Sequence, residues 1–362
     1  TVLVDAGKTL IADHALGVGS VDLNVKDGGQ FSAGQLLGLG TASGASALAV
    51  GVSTSTGTTV RMNADTVTGV RTAGSTGPAL VSGDFDLAGG QLTFFAQEGA
   101  STPRTTLQVT GSASDGTVVV SQGLNSRSSV QFIVFNSSAA LTVGGPGAQV
   151  TARLADATFA GLQGSGGVLL EGANRLNTTS LRLYSGVLSG PGTLELTGAG
   201  EQYFNGASTR TGATFIRAGT TTLGAQGGLG TGAITLDGGT LKASVTQTLA
   251  NALNLSPAGG TIHTGGVTFT STGAINPTTG SGGPLTITGG GEWVRASAAT
   301  YAGGTIVTGG ATARLGTGLA VGTGEVTLNN GTIKAGAVLV TGRNTLKLGT
   351  SGGTIDTGGS AN

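Results

Sequence analysis

Apolar side chains recur along this chain in short alternating runs, which are typical of β-strands with one buried face. In the segment 228–244, Ile234 and Leu236 flank Thr235, and alternate residues of a strand point to opposite sides of a sheet. The segment 320–336 repeats this arrangement. We therefore predict that six apolar residues of the two segments share one interior: Ile234, Leu236, Leu241, Val326, Leu328 and Ile333.

Glycine-containing turns separate the runs. The triplets 237–239 (DGG) and 329–331 (NNG) occupy the same place in the two segments, and these residue types tolerate a positive φ at low steric cost. Short strands joined by such turns bury their apolar side only when coils stack on one another. The pattern predicts an all-β fold, a right-handed parallel β-solenoid (β-helix) forming a single elongated rod, with about 20 residues per coil.

The strand and turn pattern continues less regularly towards the N-terminus. We predict irregular coils over residues 1–200 and regular coils over residues 201–362, within one continuous solenoid. Solenoid interiors stack like residues between coils, so the pairs Phe94 with Phe95 and Phe132 with Phe135 are expected to form core stacks.

Composition narrows the classes of function. The chain has 362 residues with 71 glycines and no cysteine, which excludes disulfides and thiolate zinc sites. Seventeen basic and seventeen acidic residues give no net charge and no basic cluster, so nucleic acid is not expected as a partner. No run of 18 apolar residues is present, and the chain is not expected to span a membrane through a helix. The stretch from Thr1 to Gly7 shows no signal-peptide pattern, so we expect a mature or excised fragment.

A motif of the type GGTIxTGG occurs at 259–266, 303–310 and 352–359. Its variable position holds His263, then Val307, then Asp356. An imidazole, an isopropyl group and a carboxylate do not serve one reaction or one set of ligands. We therefore expect His263 to be a solvated surface side chain.

The run TYAGGTIVTGGATARLGTGLAVGTGEVTLNNGTIKAG at 300–336, and a weaker copy at 211–243, resemble the passenger-associated repeat of bacterial autotransporters. The resemblance implies an exported β-helix that is extracellular or displayed on the surface of a Gram-negative cell. Because such passengers include adhesins, autoaggregation factors and proteases on one scaffold, it implies no enzyme activity by itself. The serine motif of the passenger proteases is absent.

Other candidate chemistry is sparse. Asp84 and Asp86 lie two residues apart on a predicted strand, so their carboxylates share a face, as acid/base pairs and calcium ligands do. Supporting charged residues are missing nearby, and an outward, solvated pair is the favoured interpretation. The loop GLGTG at 228–232 lacks the context of a phosphate-binding loop, and His14 has no visible partner residues. We expect no catalytic residues, no metal and no cofactor.

The most distinctive segment is GEWVRASAATYAGG at 291–304. Trp293 and Arg295 share a strand face, and with Tyr301 they are the candidate residues for contact with a partner or a glycan. The competing interpretation is that Trp293 packs in the interior and Val294 points outward.

Together these observations favour a non-enzymatic, secreted or surface-displayed β-solenoid that acts as an adhesin or structural module. Its expected partners are molecules or glycans of host or neighbouring cells. Two alternatives stay open: a self-assembling extracellular fibre or sheath subunit, and a polysaccharide-binding or polysaccharide-cleaving β-helix. Neither end of the sequence shows a capping helix. Two explanations stay open: caps were removed with flanking sequence, or coils of neighbouring molecules associate end to end.

Overall fold

The computed structural model describes side chains over residues 109–113, 116–120, 130–144, 152–336 and 344–358. Outside these ranges it describes the backbone of strands only. Every regular element in the described part of the chain is a β-strand, and all recorded strand pairs are parallel. The prediction of an all-β parallel β-solenoid is confirmed.

The strands are short because a turn follows every few residues. The first twenty are β1 (Val2–Val4), β2 (Thr9–Ala12), β3 (Leu16–Val18), β4 (Ser20–Val25), β5 (Gln30–Ala33), β6 (Leu36–Gly38), β7 (Ala47–Thr54), β8 (Thr59–Asn63), β9 (Ala79–Asp86), β10 (Gln91–Phe95), β11 (Thr106–Ser114), β12 (Thr117–Ser121), β13 (Ser129–Ser137), β14 (Ala140–Val143), β15 (Thr151–Ala155), β16 (Thr158–Phe159), β17 (Leu162–Gly164), β18 (Gly167–Leu170), β19 (Ala173–Asn177) and β20 (Arg182–Tyr184).

The remaining twenty are β21 (Leu188–Ser189), β22 (Thr193–Thr197), β23 (Glu201–Phe204), β24 (Thr214–Ile216), β25 (Thr220–Leu223), β26 (Ile234–Leu236), β27 (Thr240–Ala243), β28 (Gln247–Leu249), β29 (Leu253–Leu255), β30 (Gly260–His263), β31 (Thr268–Ser271), β32 (Ile275–Pro277), β33 (Leu285–Thr288), β34 (Glu292–Arg295), β35 (Thr305–Thr308), β36 (Thr312–Leu315), β37 (Val326–Asn329), β38 (Gly331–Ala335), β39 (Leu346–Leu348) and β40 (Gly353–Asp356).

The chain divides into two compact units. The first comprises Thr1–Asn177 with Leu183–Gly192, and the second comprises Thr178–Arg182 with Thr193–Asn362. The predicted boundary between irregular and regular coils at residues 200 and 201, and the continuity of the solenoid, stay predictions.

In the first unit one sheet runs in the order β1-β4-β7-β9-β11-β13-β16-β19, and a second runs β2-β5-β8-β10-β12-β14-β17. The long strand β13 pairs with the short strand β15 on one side of a β-bulge and with the short strand β16 on the other side. Val134 lies in this bulge with φ 47°, and Asp156 turns the corner between β15 and β16 with φ 58°. The bulge therefore marks the coil at which one side of the solenoid becomes two.

An aromatic cluster fills the interior beside the bulge. The rings of Phe132 and Phe135 lie 5.2 Å apart, and Phe159 lies 5.2 and 5.6 Å from them. All three side chains are buried, which confirms the predicted stack of Phe132 and Phe135. The side chains of Phe94 and Phe95 lie outside the described residues.

The second unit contains three sheets, named here sheets I, II and III. Sheet I has the order β22-β24-β26-β29-β32, sheet II has β23-β25-β27-β30-β33-β35-β37-β39, and sheet III has β28-β31-β34-β36-β38-β40. In sheet II, Thr220 pairs with Thr240 and Thr240 with Thr261. One coil therefore takes 20 or 21 residues here, as the sequence predicts.

The six apolar residues predicted to share an interior are buried, with exposed fractions of 0 to 7%. Leu241 continues as a column through Ile262, Ile287, Val307 and Leu328, each in register with the next. Thr235 departs from the expected wet face, because it too is buried at 8% exposure.

The two sequence repeats do not occupy equivalent places in the coil. Leu236 and Leu328 correspond in sequence and are 92 residues apart, yet Leu236 lies in sheet I and Leu328 in sheet II. The residue of the first copy that stacks in the column of Leu328 is Leu241, which is 87 residues away. The second copy is thus displaced by five residues around the coil, onto the next pair of sheets.

Buried or half-buried asparagine side chains hold the corners of the coils together. The Nδ2 atom of Asn251 donates to the carbonyl oxygens of Gly230 and Gly232, at 3.0 and 2.6 Å. Asn344 repeats this contact one sequence repeat later, with Gly322 O and Gly324 O at 3.1 and 2.7 Å. These side chains satisfy carbonyls that the glycine turns leave without a strand partner.

Candidate functional site

The outer face of sheet II carries a set of polar groups that neighbouring coils bring together, most of them half-exposed. Two columns run along it. The hydroxyl column consists of Thr220, Thr240, Thr261 and Thr286. The mixed column consists of Tyr203, Thr222, Lys242, His263 and Thr288. Both columns arise because alternate residues of β25, β27, β30 and β33 point away from the interior.

Glu201 is the hub of this face. Its Oε1 atom accepts a hydrogen bond from the Thr222 hydroxyl and, at 3.2 Å, one from the Lys242 ammonium group. Partial burial raises the pKa of the Glu201 carboxyl, but these two hydrogen bonds and the charges of Lys242 and His263 outweigh it, so the pKa lies below its usual value. The carboxylate is therefore ionised and tied to Lys242 at neutral pH.

Tyr203 spans the mixed column. Its hydroxyl lies 2.6 Å from the Oγ atom of Ser244, two coils away. Gly224 provides the space, because a β-carbon there would overlap the Tyr203 ring. The ring is half-buried, so one part of an aromatic surface is available to a ligand.

His263 is half-exposed beside Lys242, as expected for a surface histidine. Its Nδ1 atom accepts a hydrogen bond of 3.0 Å from the backbone N–H of Gly265. The ring lies against Gly289, which has φ 101° and leaves no room for a β-carbon. The other ring nitrogen, Nε2, makes no hydrogen bond to a described residue.

The three GGTI copies differ in structure as well as in sequence. In the first copy Ile262 is buried and His263 is half-exposed, whereas in the second Val307 is buried and Ile306 is half-exposed. The third copy, in β40, belongs to sheet III. The variable position is therefore not one structural position, and its residue types follow from three different surroundings.

The expectation that Trp293, Arg295 and Tyr301 form an exposed contact surface is wrong, because all three side chains have an exposed fraction of 0%. Trp293 and Arg295 do share a face, but it is the inner face of β34, and Val294 points outward. The Trp293 Nε1 atom donates to Ser271 Oγ at 3.0 Å. The competing interpretation of interior packing is the correct one.

Arg295 has no carboxylate partner in this interior. Its guanidinium donates to the carbonyl oxygens of Gly273 and Ala298, at 2.7 and 2.8 Å, and burial lowers its pKa. Burial raises the pKa of Tyr301, whose hydroxyl is bonded to that of Thr305. The hydrogen bonds of Arg295 and Tyr301 stabilise a corner of the coil from its inner side.

Other charged side chains form pairs between successive coils. Arg217 bridges Glu195 and Asp237 on sheet I, and Lys334 lies 3.5 Å from Asp356 on sheet III. In the described ranges, no group of three histidine, aspartate or glutamate side chains is placed to hold a metal ion. The described residues also contain no helix long and apolar enough to cross a bilayer.

The side chains of Asp84 and Asp86 lie outside the described residues, and so does His14. The functional candidates that sequence reasoning missed are Glu201, Tyr203, Lys242 and Ser244. A signal was present in their spacing, because Thr222, Lys242 and His263 follow one another at 20 and 21 residues, which is the length of one coil.

Comparisons of the chain with protein-family models, with curated proteins and with solved structures found no match. The fold therefore defines the class of protein, a parallel β-solenoid. The outer face of sheet II is its candidate functional site.

Proposed function

We propose that the chain is a non-enzymatic, secreted or surface-displayed module of a Gram-negative bacterium, which adheres to molecules or glycans of neighbouring cells. The observation that carries this proposal is the outer face of sheet II, where half-exposed hydroxyl, phenol, ammonium and carboxylate groups are spread over consecutive coils. Such a face offers many parallel contacts to an extended surface. Bond cleavage instead needs an acid and a base that converge on one atom.

The location outside the cell rests on the resemblance of 211–243 and 300–336 to the autotransporter repeat. The way the fold is held together is compatible with that location. Backbone pairing, a stacked aliphatic interior and neutralised charge pairs stabilise the coils in a chain without cysteine. A scaffold of this kind tolerates an oxidising or a reducing environment equally.

Adhesion is tested by displaying the chain on a non-adherent Gram-negative strain, fused to an outer-membrane barrel, and counting cells attached to epithelial and bacterial layers. We expect attachment above that of the barrel alone. The combined substitution of Tyr203→Ala and Lys242→Ala should reduce it, whereas Arg217→Ala on sheet I is the matched surface control. Attachment equal to that of the barrel alone, with the chain verified on the surface by protease accessibility, contradicts the proposal.

The non-enzymatic part has its own test. The combined substitution of Asp84→Asn and Asp86→Asn should leave attachment and stability unchanged, and neither protein should release reducing sugar from bacterial or plant polysaccharides. Release of sugar by the parent chain and its loss in the substituted chain would identify a polysaccharide-cleaving β-helix instead.

Self-association is the second candidate, favoured by one specific observation. Leu348 and Ile355 are in register with buried Leu328 and Ile333, yet they are 60% and 49% exposed. Covering them with a coil of a second copy buries apolar area. Analytical ultracentrifugation should show mass increasing with concentration, and Leu348→Lys should weaken it. A constant monomer mass up to millimolar protein excludes this candidate.

A further inference from the structure

We propose that the hydroxyl column of sheet II, Thr220, Thr240, Thr261 and Thr286, binds an extended neutral polysaccharide. This inference rests on the proposed adhesive function, because it names the ligand class of the same outer face.

The first support is that these hydroxyl groups are free. All four side chains are half-exposed, and in the described part of the chain none of their hydroxyls makes a hydrogen bond to protein. The neighbouring hydroxyl of Thr222 differs, since it is buried and donates to Glu201. The four hydroxyls are therefore open to solvent in consecutive coils, and a hydroxyl-rich ligand can use each of them as donor and acceptor.

The second support is the spacing. The four threonines are register partners in adjacent parallel strands, so one hydroxyl follows another at about 4.8 Å. This repeat is comparable with the length of one sugar unit in an extended polysaccharide chain. A polymer lying along the column therefore meets one hydroxyl per sugar, and the contacts accumulate along its length.

The third support is the charge of the face. The four threonines are neutral. Glu201 is the register partner of Thr220 at the start of the column, and its carboxylate is paired with the nearest ammonium group, that of Lys242, at 3.2 Å. A polyanion is held by clustered, unpaired cations, which this face does not offer among the described residues. The half-buried ring of Tyr203, which precedes the column by one coil, adds an apolar surface suited to the face of a sugar ring.

A matched control surface is available on sheet III. Thr312 and Thr332 are register partners there and half-exposed as well. They adjoin two consecutive cations, Arg314 and Lys334, whereas the cation beside the hydroxyl column in the described residues is Lys242, followed by His263. The same substitution can thus be made on two faces of one molecule. Valine is the substituent of choice, because it keeps the branched shape that suits a strand and removes only the hydroxyl.

The experiment is affinity gel electrophoresis of the purified chain in gels that contain hydroxyethylcellulose or alginate. We expect hydroxyethylcellulose to retard the parent chain and alginate not to. Thr240→Val with Thr261→Val should weaken the retardation about tenfold or more, and Thr312→Val with Thr332→Val should leave it unchanged. Thr240→Arg, which blocks the hydroxyl column with a larger side chain, should abolish the retardation. Circular dichroism and the emission of buried Trp293 verify the fold of each variant.

No retardation by the neutral polymer, retardation by alginate alone, or equal loss in the sheet III variant overturns the inference. Its failure is distinguishable from that of the proposed function in the display assay. Cells that attach equally with the parent chain and with Thr240→Val and Thr261→Val show adhesion without the hydroxyl column. Cells that do not attach at all contradict the adhesive function itself.

Discussion

Leu236 and Leu328 test the stacked interior most directly, because they are sequence equivalents in different surroundings. Leu236 is fully buried between Ile216 and Leu255, which are themselves 0% exposed. Leu328 is also fully buried, but it lies between Val307 and Leu348, and Leu348 is 60% exposed. Truncation to alanine at residue 236 therefore leaves a cavity enclosed by buried residues. At residue 328 the exposed Leu348 side chain can move and partly fill the cavity.

The cost of such a substitution is the lost transfer free energy plus a contribution that grows with the cavity that remains. We expect Leu236→Ala to lower the free energy of unfolding by about 4 kcal/mol and Leu328→Ala by about 2.5 kcal/mol, within the range known for buried leucines. Leu348→Ala is the control at the exposed position and should cost less than about 1 kcal/mol.

Urea unfolding followed by tryptophan emission measures these differences. Trp293 is the only tryptophan of the chain, is buried, and lies in the same unit as both leucines. Midpoints are comparable where the urea dependence of the unfolding free energy is unchanged. An equal or larger loss at residue 328, or losses under about 1 kcal/mol at both leucines, refutes the packing argument.

Three further substitutions or titrations examine other parts of the fold. Val134 has φ 47° and is 62% exposed. Because asparagine tolerates this left-handed conformation better than valine, Val134→Asn should raise the free energy of unfolding by about 1 kcal/mol in urea unfolding followed by circular dichroism. The control Val294→Asn, in an ordinary strand, should not raise it. Burial raises the pKa of Tyr184 and of Tyr301, so the stability they contribute is fully present below their unfolded-state pKa near 10 and is lost above it. Far-UV circular dichroism should therefore fall together with tyrosinate absorbance, and ionisation of both residues in the folded chain contradicts the sign. Asn251→Ala removes two hydrogen bonds from a buried corner and should cost about 2 kcal/mol; Asn254→Ala on the outer side is its control in the same urea assay.

Local patterns were sufficient for the class of fold and for much of its interior. The alternation predicted the burial of Ile234, Leu236, Val326 and Leu328, although it wrongly placed Thr235 on the outer face. The turn residues predicted positive φ, found at Gly238 and Asn330. These properties depend on a few neighbouring residues, since a strand has a period of two and a tight turn has few acceptable residue types.

Trp293 and the columns of sheet II depended on the tertiary structure. The strand EWVR has polar residues at both ends, so alternation alone does not say which face is inner; the register with Phe269 and Ala313 places Trp293 inside. Likewise, the shared residues of segments 228–244 and 320–336 were enough to identify them as copies. Their places on different sheets depend on the length of the intervening coils. The four coils from Leu241 to Leu328 take 87 residues, whereas the sequence copies are 92 residues apart. For the same reason Glu201, Thr222 and Lys242, separated by 20 or 21 residues, became neighbours only when the coils stacked.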